Sequence, residues 1–223
     1  NAYKNSVTKV ELGANVRYIA YYAFYLYRNL RSVFIPPLVT RIGDNAFNGC
    51  RGLEDVVLHD GLDFIDSAAF SNCVSLKSVK IPETVTTMGN SVFNSCYSLT
   101  NMDLPSSISS SGSGLFTHCD ALRSVNIPDG ITVIPSMFCY NCGSISNVVL
   151  PPSVGTIETS AFFGCNSVAY YDFSQHTAVP TLSETNAFSG IPSDCQIRVP
   201  SALADEWKAA TNWATYADKI VGV

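Results

Sequence analysis

Apolar residues return along this chain with a period of 23. Leu30, Leu53, Leu76, Leu99, Leu122, Ile145 and Val168 form one column. Three positions on stand Val10, Val33, Val56, Val79, Met102, Val125, Val148 and Tyr171. Two further on stand Leu12, Ile35, Leu58, Ile81, Leu104, Ile127, Leu150 and Phe173. The last two columns alternate with polar positions, which predicts a short strand with one buried face in each unit. Pro36, Pro82, Pro105, Pro128 and Pro151 follow and end the strand, because proline cannot donate to a ladder. A further buried position comes next, at Ile19, Ile42, Ile65, Met88, Ile134 and Ile157. The segment Asp44–Cys50 then shows helical spacing, with Ala46, Phe47, Cys50 and Leu53 near one face and Asp44 as a cap. One or two helical turns are expected there.

Phe24, Phe47, Phe70, Phe93, Phe116 and Phe162 share the period, as do Cys50, Cys73, Cys96, Cys119, Cys142 and Cys165. A unit this short cannot bury its columns alone, whereas stacked units turn each column into an internal ladder. The expected fold class is an α/β solenoid. About eight coils would form a right-handed, curved rod with a parallel β-sheet along its concave side and short helical turns on the convex side. Residues 1–200 form the solenoid, starting within the array, and residues 201–223 a C-terminal helical cap. In the cap, Ser201 is the expected first capping residue, and Leu203, Trp207, Ala210, Trp213 and Tyr216 share a face over 201–219.

Breaks in the pattern carry their own expectations. Residues 106–114 are rich in Ser and Gly, and Ser111 stands where other units place Ile or Met, so this coil should be the loosest. Phe138 stands one residue early, which predicts a small bulge before Cys142. The first coil holds Tyr18, Tyr21, Tyr22, Tyr25 and Tyr27. Tyr27 occupies the Cys column and should be buried. The other four sit where later coils carry Arg41, Asp44, Asn45 and Asn48, and should be exposed. They are read either as a binding patch or as a shield for an edge.

The columns resemble the BspA-like leucine-rich repeat family, as in Leu76-Lys-Ser-Val79-Lys-Ile81-Pro82 and Ile42-Gly-Asp-Asn-Ala46-Phe47-Asn-Gly-Cys50. The resemblance spans about residues 7–200, and the tail after Pro200 is similar to the closing segment of such arrays. It implies a leucine-rich repeat coil of a bacterial surface or secreted protein. It also implies protein binding and adhesion without catalysis.

Composition narrows the partners. Of 223 residues, 47% are hydrophobic and 14% charged, which excludes a disordered chain. The net charge of −5 argues against nucleic acid. No apolar run is long enough for a membrane-spanning helix, and Asn1-Ala2-Tyr3-Lys4 does not open a secretory leader. The eight cysteines are expected to be reduced, buried thiols rather than disulfides, since ladder neighbours point in parallel. Cys139-Tyr-Asn-Cys142 has C-x-x-C spacing but lacks the second pair a zinc site needs. His59, His118 and His176 lie in different columns, and no catalytic or phosphate-binding motif occurs. No metal, cofactor or enzymatic reaction is therefore expected.

What remains is surface. The positions between buried strand residues should line the concave face. The candidate partner-binding residues are Ser32, Phe34, Asp55, Val57, Lys80, Asn101, Asp103, Asn126, Val149, Tyr170 and Asp172. The expected function is a monomeric, extracellular or cell-surface module that binds a protein ligand through this face, with a glycan as a second candidate. Two alternatives stand beside it: a structural spacer displaying another domain, and carbohydrate binding by the exposed tyrosines.

Overall fold

The computed structural model describes residues 3–223. Asn1 and Ala2, the first half of the N-terminal stretch read for a leader, lie outside the described residues. The chain is a parallel-strand solenoid of about nine turns. Each regular coil supplies a first strand of two or three residues, a second strand of two, and a turn segment. The predicted strand is seen at Ser32–Phe34, Asp55–Val57, Asn101–Asp103, Ser124–Asn126, Asn147–Val149 and Tyr170–Asp172. Val33 faces Val56, Met102 faces Val125, and Val148 faces Tyr171, so the 23-residue period is the ladder register. One expected strand is missing: residues 78–80 form no ladder, although Val79 and Ile81 remain buried.

The isolated apolar position of each unit belongs to a second parallel sheet. Tyr18–Ile19, Arg41–Ile42, Phe64–Ile65, Thr87–Met88 and Ser110–Ser111 pair in that order. The sheet then divides, and Val133–Ile134 starts a new ladder with Thr156–Ile157 and Thr181–Leu182. A proline explains the break. After each second strand, one N–H bonds to the preceding coil: Gly43 to Ile19, Asp66 to Ile42, Gly112 to Met88, Glu158 to Ile134. Pro135 occupies that position and has no N–H to give. A cavity of about 330 Å³, lined in part by Ser109, Ser111, Val133 and Pro135, opens at the break.

The helical turns expected opposite the first sheet are absent. Residues 43–50 and their equivalents form stacked turns instead. Alternate N–H groups serve different coils: Ala46, Asn48 and Cys50 bond to Gly43, Asn45 and Phe47, while Asn45, Phe47 and Gly49 bond to Ser67, Ala69 and Ser71 of the next coil. A helix would spend every bond within its own segment. This alternation requires a left-handed residue twice per coil, as at Asn45 (φ 55) and Gly49 (φ 75). Asp44 does not cap its own segment. Its Oδ1 accepts from the backbone N–H of Ser67, one coil on, at 3.0 Å.

Inside, the phenylalanine column is a stack. Phe47, Phe70, Phe93 and Phe116 follow one another with centroids 5.3 to 5.9 Å apart and ring planes within 7°. No bulge forms near Phe138. Met137 and Asn141 keep the left-handed positions of the neighbouring coils, so the backbone stays in phase. Phe138 enters the core from the alanine column and Cys139 takes the phenylalanine place. The Phe138 ring therefore meets Phe116 edge-on at 82° and Phe162 at 77°. Tyr27, in the cysteine column, is only half-buried where full burial was expected.

The cap is less helical than its apolar spacing suggests. Ala204–Ala209 is the one α-helix among the described residues, flanked by 3₁₀ turns at Ser201–Leu203 and Trp213–Tyr216. Ser201 makes no cap; its Oγ donates to the carbonyl of Val223 at 3.1 Å. Ala210, in an extended conformation, ends the helix, and Asn212 (φ 65) leads into the second 3₁₀ turn while its amide donates to the carbonyls of Leu182 and Ser183. Ile220–Gly222 then adds a strand to the first sheet beside Gln196–Val199. Trp207 and Trp213 are buried against Phe173 and Phe188, closing the apolar columns at this end.

Candidate functional site

The first strand presents two rows outward because its alternate residues are buried. Lys9, Asp55, Asn101 and Ser124 are exposed in one row, with Ser32, Asn147 and Tyr170 half-buried. Phe34, Val57, Lys80, Asp103, Asn126 and Val149 are exposed in the other, with Asp172 half-buried. The eleven candidate residues thus share one face but divide into three stretches.

At the N-terminal stretch, Phe34 and Val57 stand opposite each other in register and are 53% and 47% exposed. The Phe34 ring meets His59 edge-on at 4.7 Å. Phe34 and Val57 border a cavity of about 450 Å³ whose other walls include Val10, Leu12, Ser32 and Asp55. The middle stretch is polar. Lys80, Asn101, Asp103 and Asn126 lie there, and Ser124 donates to Asn101 at 2.8 Å. At the C-terminal stretch, Val149 is 55% exposed and stands opposite Asp172. Asp172 faces Arg198 in the next strand. The Arg198 guanidinium lies 3.8 Å from the Tyr170 ring centre and donates from Nε to Gln196 at 3.0 Å. Arg198 and Gln196 were missed from the sequence because the last coil is spaced by 26 rather than 23. Pairing Ile197 with Tyr171 as one column would have placed both on this face.

All eight cysteines are buried. Six donate their thiols to a carbonyl 26 positions earlier, from Cys50 to Phe24 through Cys165 to Cys139, at 3.0 to 3.3 Å. Burial pushes Cys50 up to about 12 and Cys195 up to about 11, so neither is a nucleophile at neutral pH. Among the described residues, no three His, Cys, Asp or Glu side chains converge as a metal site. His59 faces Phe34, His118 faces Tyr140, and His176 is buried between Phe173 and Trp207. No helix among the described residues is long and apolar enough to cross a membrane.

Stacked 23-residue coils with a parallel first sheet and outward polar rows define a leucine-rich repeat solenoid. Solved structures agree. A leucine-rich repeat protein from Bacteroides ovatus is 23% identical, with a TM-score of 0.76, over 86% of this chain and 52% of that one. This chain therefore spans about half the length of that relative. A T. pallidum leucine-rich repeat protein is 27% identical (TM-score 0.60), over 83% of this chain and 78% of that one. A leucine-rich cell surface protein from Faecalibacterium prausnitzii is 20% identical (TM-score 0.51), over 98% of this chain and 78% of that one. No curated protein matches. The chain belongs to the BspA type leucine-rich repeat family, whose pattern matches residues 2–119 and 40–169 in six copies.

Proposed function

We propose that this chain is a non-catalytic recognition module of a bacterial surface or secreted protein. It acts as a monomer and engages a protein ligand through the first-strand face. The observation that carries the reading is the exposed Phe34–Val57 pair beside its cavity, on a sheet whose other outward positions are mostly polar. Large apolar side chains at the centre of a polar rim are what protein interfaces use as anchors. Tyr170, stacked under Arg198, supplies a second anchor of the residue types enriched at such sites. Family membership, and the description of the F. prausnitzii relative as a cell surface protein, support placing the module outside the cell.

The test is a binding screen against extracellular matrix and mucosal proteins, run beside a variant carrying Phe34→Ser, Val57→Ser and Tyr170→Ser. The expected result is a protein ligand whose binding falls at least tenfold in the variant, as for loss of anchor residues. A ligand bound equally by both forms moves the site off this face. Absence of any ligand favours the spacer.

A further inference from the structure

The charge on the chain is divided along its length. Residues 1–51 hold seven Lys and Arg against two Asp and Glu, and the rest of the chain holds six against sixteen. The first coils are a basic end on an acidic body. Among the described residues, four basic groups there lack a carboxylate partner, as do Lys80, Arg123, Arg198 and Lys208, which are spread over the rest of the chain. Lys9, Arg31 and Arg41 are paired with Glu11, Glu54 and Asp66, but Arg17, Arg28 and Arg51 make no ion pair among the described residues.

An aromatic row adjoins these cations. Tyr21 and Tyr22 meet edge-on with centroids 6.0 Å apart, and Tyr22 and Tyr25 at 5.1 Å. Tyr21 is 68% exposed. The row leads to Lys4, whose Nζ lies 5.9 Å from the Tyr25 ring centre and 5.5 Å from that of Tyr27. Lys4 and Arg28, with Asn5 and Leu26, line a cavity of about 220 Å³ with no carboxylate among the described residues of its wall. A tyrosine row, exposed at Tyr21 and Tyr22 but half-buried at Tyr25, where exposure was expected, therefore ends at a two-cation cavity.

We propose that this end of the solenoid binds a carboxylated polysaccharide, one built from uronic acid units. Sugar rings lie against Tyr21 and Tyr22, and a carboxylate enters the cavity between Lys4 and Arg28. A sugar ring has an apolar C–H face and a hydroxyl rim, which suits a tyrosine with an apolar ring and a polar tip. The planar guanidinium of Arg28 matches a planar carboxylate. Lys4 already donates to the carbonyl of Tyr25 at 3.0 Å, so a neutral glycan would leave Arg28 without an anionic partner and Lys4 with that carbonyl alone. An acidic peptide would satisfy the cations and leave the tyrosine row unused. Nucleic acid needs phosphates neutralised along its length, and the acidic body would repel it beyond the first coils. This site lies on the N-terminal 3₁₀ turn Tyr3–Asn5 and on the turn segment that follows the strand Tyr18–Ile19, so it is separate from the face assigned to a protein ligand.

The experiment measures binding of polygalacturonate by titration calorimetry, beside neutral galactan, heparin, polyglutamate and a DNA oligonucleotide. Two variants are used: Arg28→Gln, and Tyr21→Ser with Tyr22→Asn. Ser67 and Asn45 occupy those two columns in neighbouring coils, so the tyrosine variant should fold, and its melting temperature confirms it. The expected result is that polygalacturonate binds best. Its affinity falls about tenfold in each variant and weakens further in high salt. The Phe34→Ser, Val57→Ser variant retains it. Absence of polygalacturonate binding, or equal binding of polyglutamate or DNA, overturns the proposal. So does tighter binding of heparin, or loss in the Arg28 variant without loss in the tyrosine variant.

Discussion

The thiol of Cys96 donates to the carbonyl oxygen of Phe70, 26 positions earlier, at 3.2 Å. The bond joins the turn of one coil to the phenylalanine column of the coil before it. Repeated up the column, it explains why a small polarisable side chain holds this place. Leucine would collide with the backbone it approaches, and alanine would make no bond. The thiolate is the reactive form, and burial holds Cys73, Cys96 and Cys119 well above the ordinary thiol range. Labelling in native buffer must then wait for coils to open. Burial raises Cys50 and Cys195 less, to about 12 and about 11. Mass spectrometry of a timed thiol-labelling series should show Cys50 and Cys195 modified before Cys96 and Cys119. Immediate labelling of Cys73 or Cys96 would contradict the burial described here.

The exchange at Phe138 and Cys139 is a local solution with a measurable cost. Phe138→Ala empties the space the ring fills from the alanine column and should cost about 3–4 kcal/mol. Adding Cys139→Phe returns a ring to its column between Phe116 and Phe162, where stacking is the pattern elsewhere. Urea unfolding should show the double variant recovering most of the loss. A double variant less stable than Phe138→Ala alone would mean the backbone here differs from its neighbours.

Much of this architecture was legible in the sequence, and the failures have physical causes. The period fixed which residues face inward: Val33, Phe47 and Cys50 lie where their columns place them. The second sheet was hidden because two residues, such as Arg41–Ile42, are too few to show alternation. The turns were mistaken for helix because Ala46, Phe47, Cys50 and Leu53 satisfy helical spacing equally well. The telling signal was the recurrence of Gly and Asn at Asn45, Gly49, Asn72, Asn141 and Gly164, which tolerate left-handed backbone. The candidate face was legible as two rows with an apolar spot toward each end, Phe34 with Val57 and Val149 with Tyr170. Arg198, stacked on Tyr170, was not, because it lies beyond the regular period.

The turn reading can be separated from the helical one by a single substitution. Ala68 has φ 55, a left-handed position. In a helix interior, Ala→Gly costs about 1 kcal/mol. In this turn, glycine removes a left-handed penalty of about 1–2 kcal/mol, while its greater freedom in the unfolded chain takes back about 0.4–1 kcal/mol. Ala68→Gly should therefore stabilise the protein by about 0.5 kcal/mol in urea unfolding. A loss near 1 kcal/mol would restore the helical interpretation.

His176 links the cap to pH. Its ring is buried against Phe173 and Trp207, with Nε2 3.2 Å from the carbonyl oxygen of Val154. Burial lowers its pKa below the ordinary 6.5, opposed by the carbonyls of Val154 and Phe173 and by the nearby Asp172. The unfolded chain therefore takes up the proton at a higher pH than the folded one. The stability held by neutral His176 is fully present above 6.5 and declines as pH falls from 6.5 toward the lower folded value. Melting temperatures at pH 7.5 and 5.5 should differ more in the wild type than in His176→Leu, which has no proton to bind. The difference should appear in tryptophan fluorescence, because Trp207 packs on the histidine. An identical pH slope in both proteins would assign the acid sensitivity to the carboxylates instead.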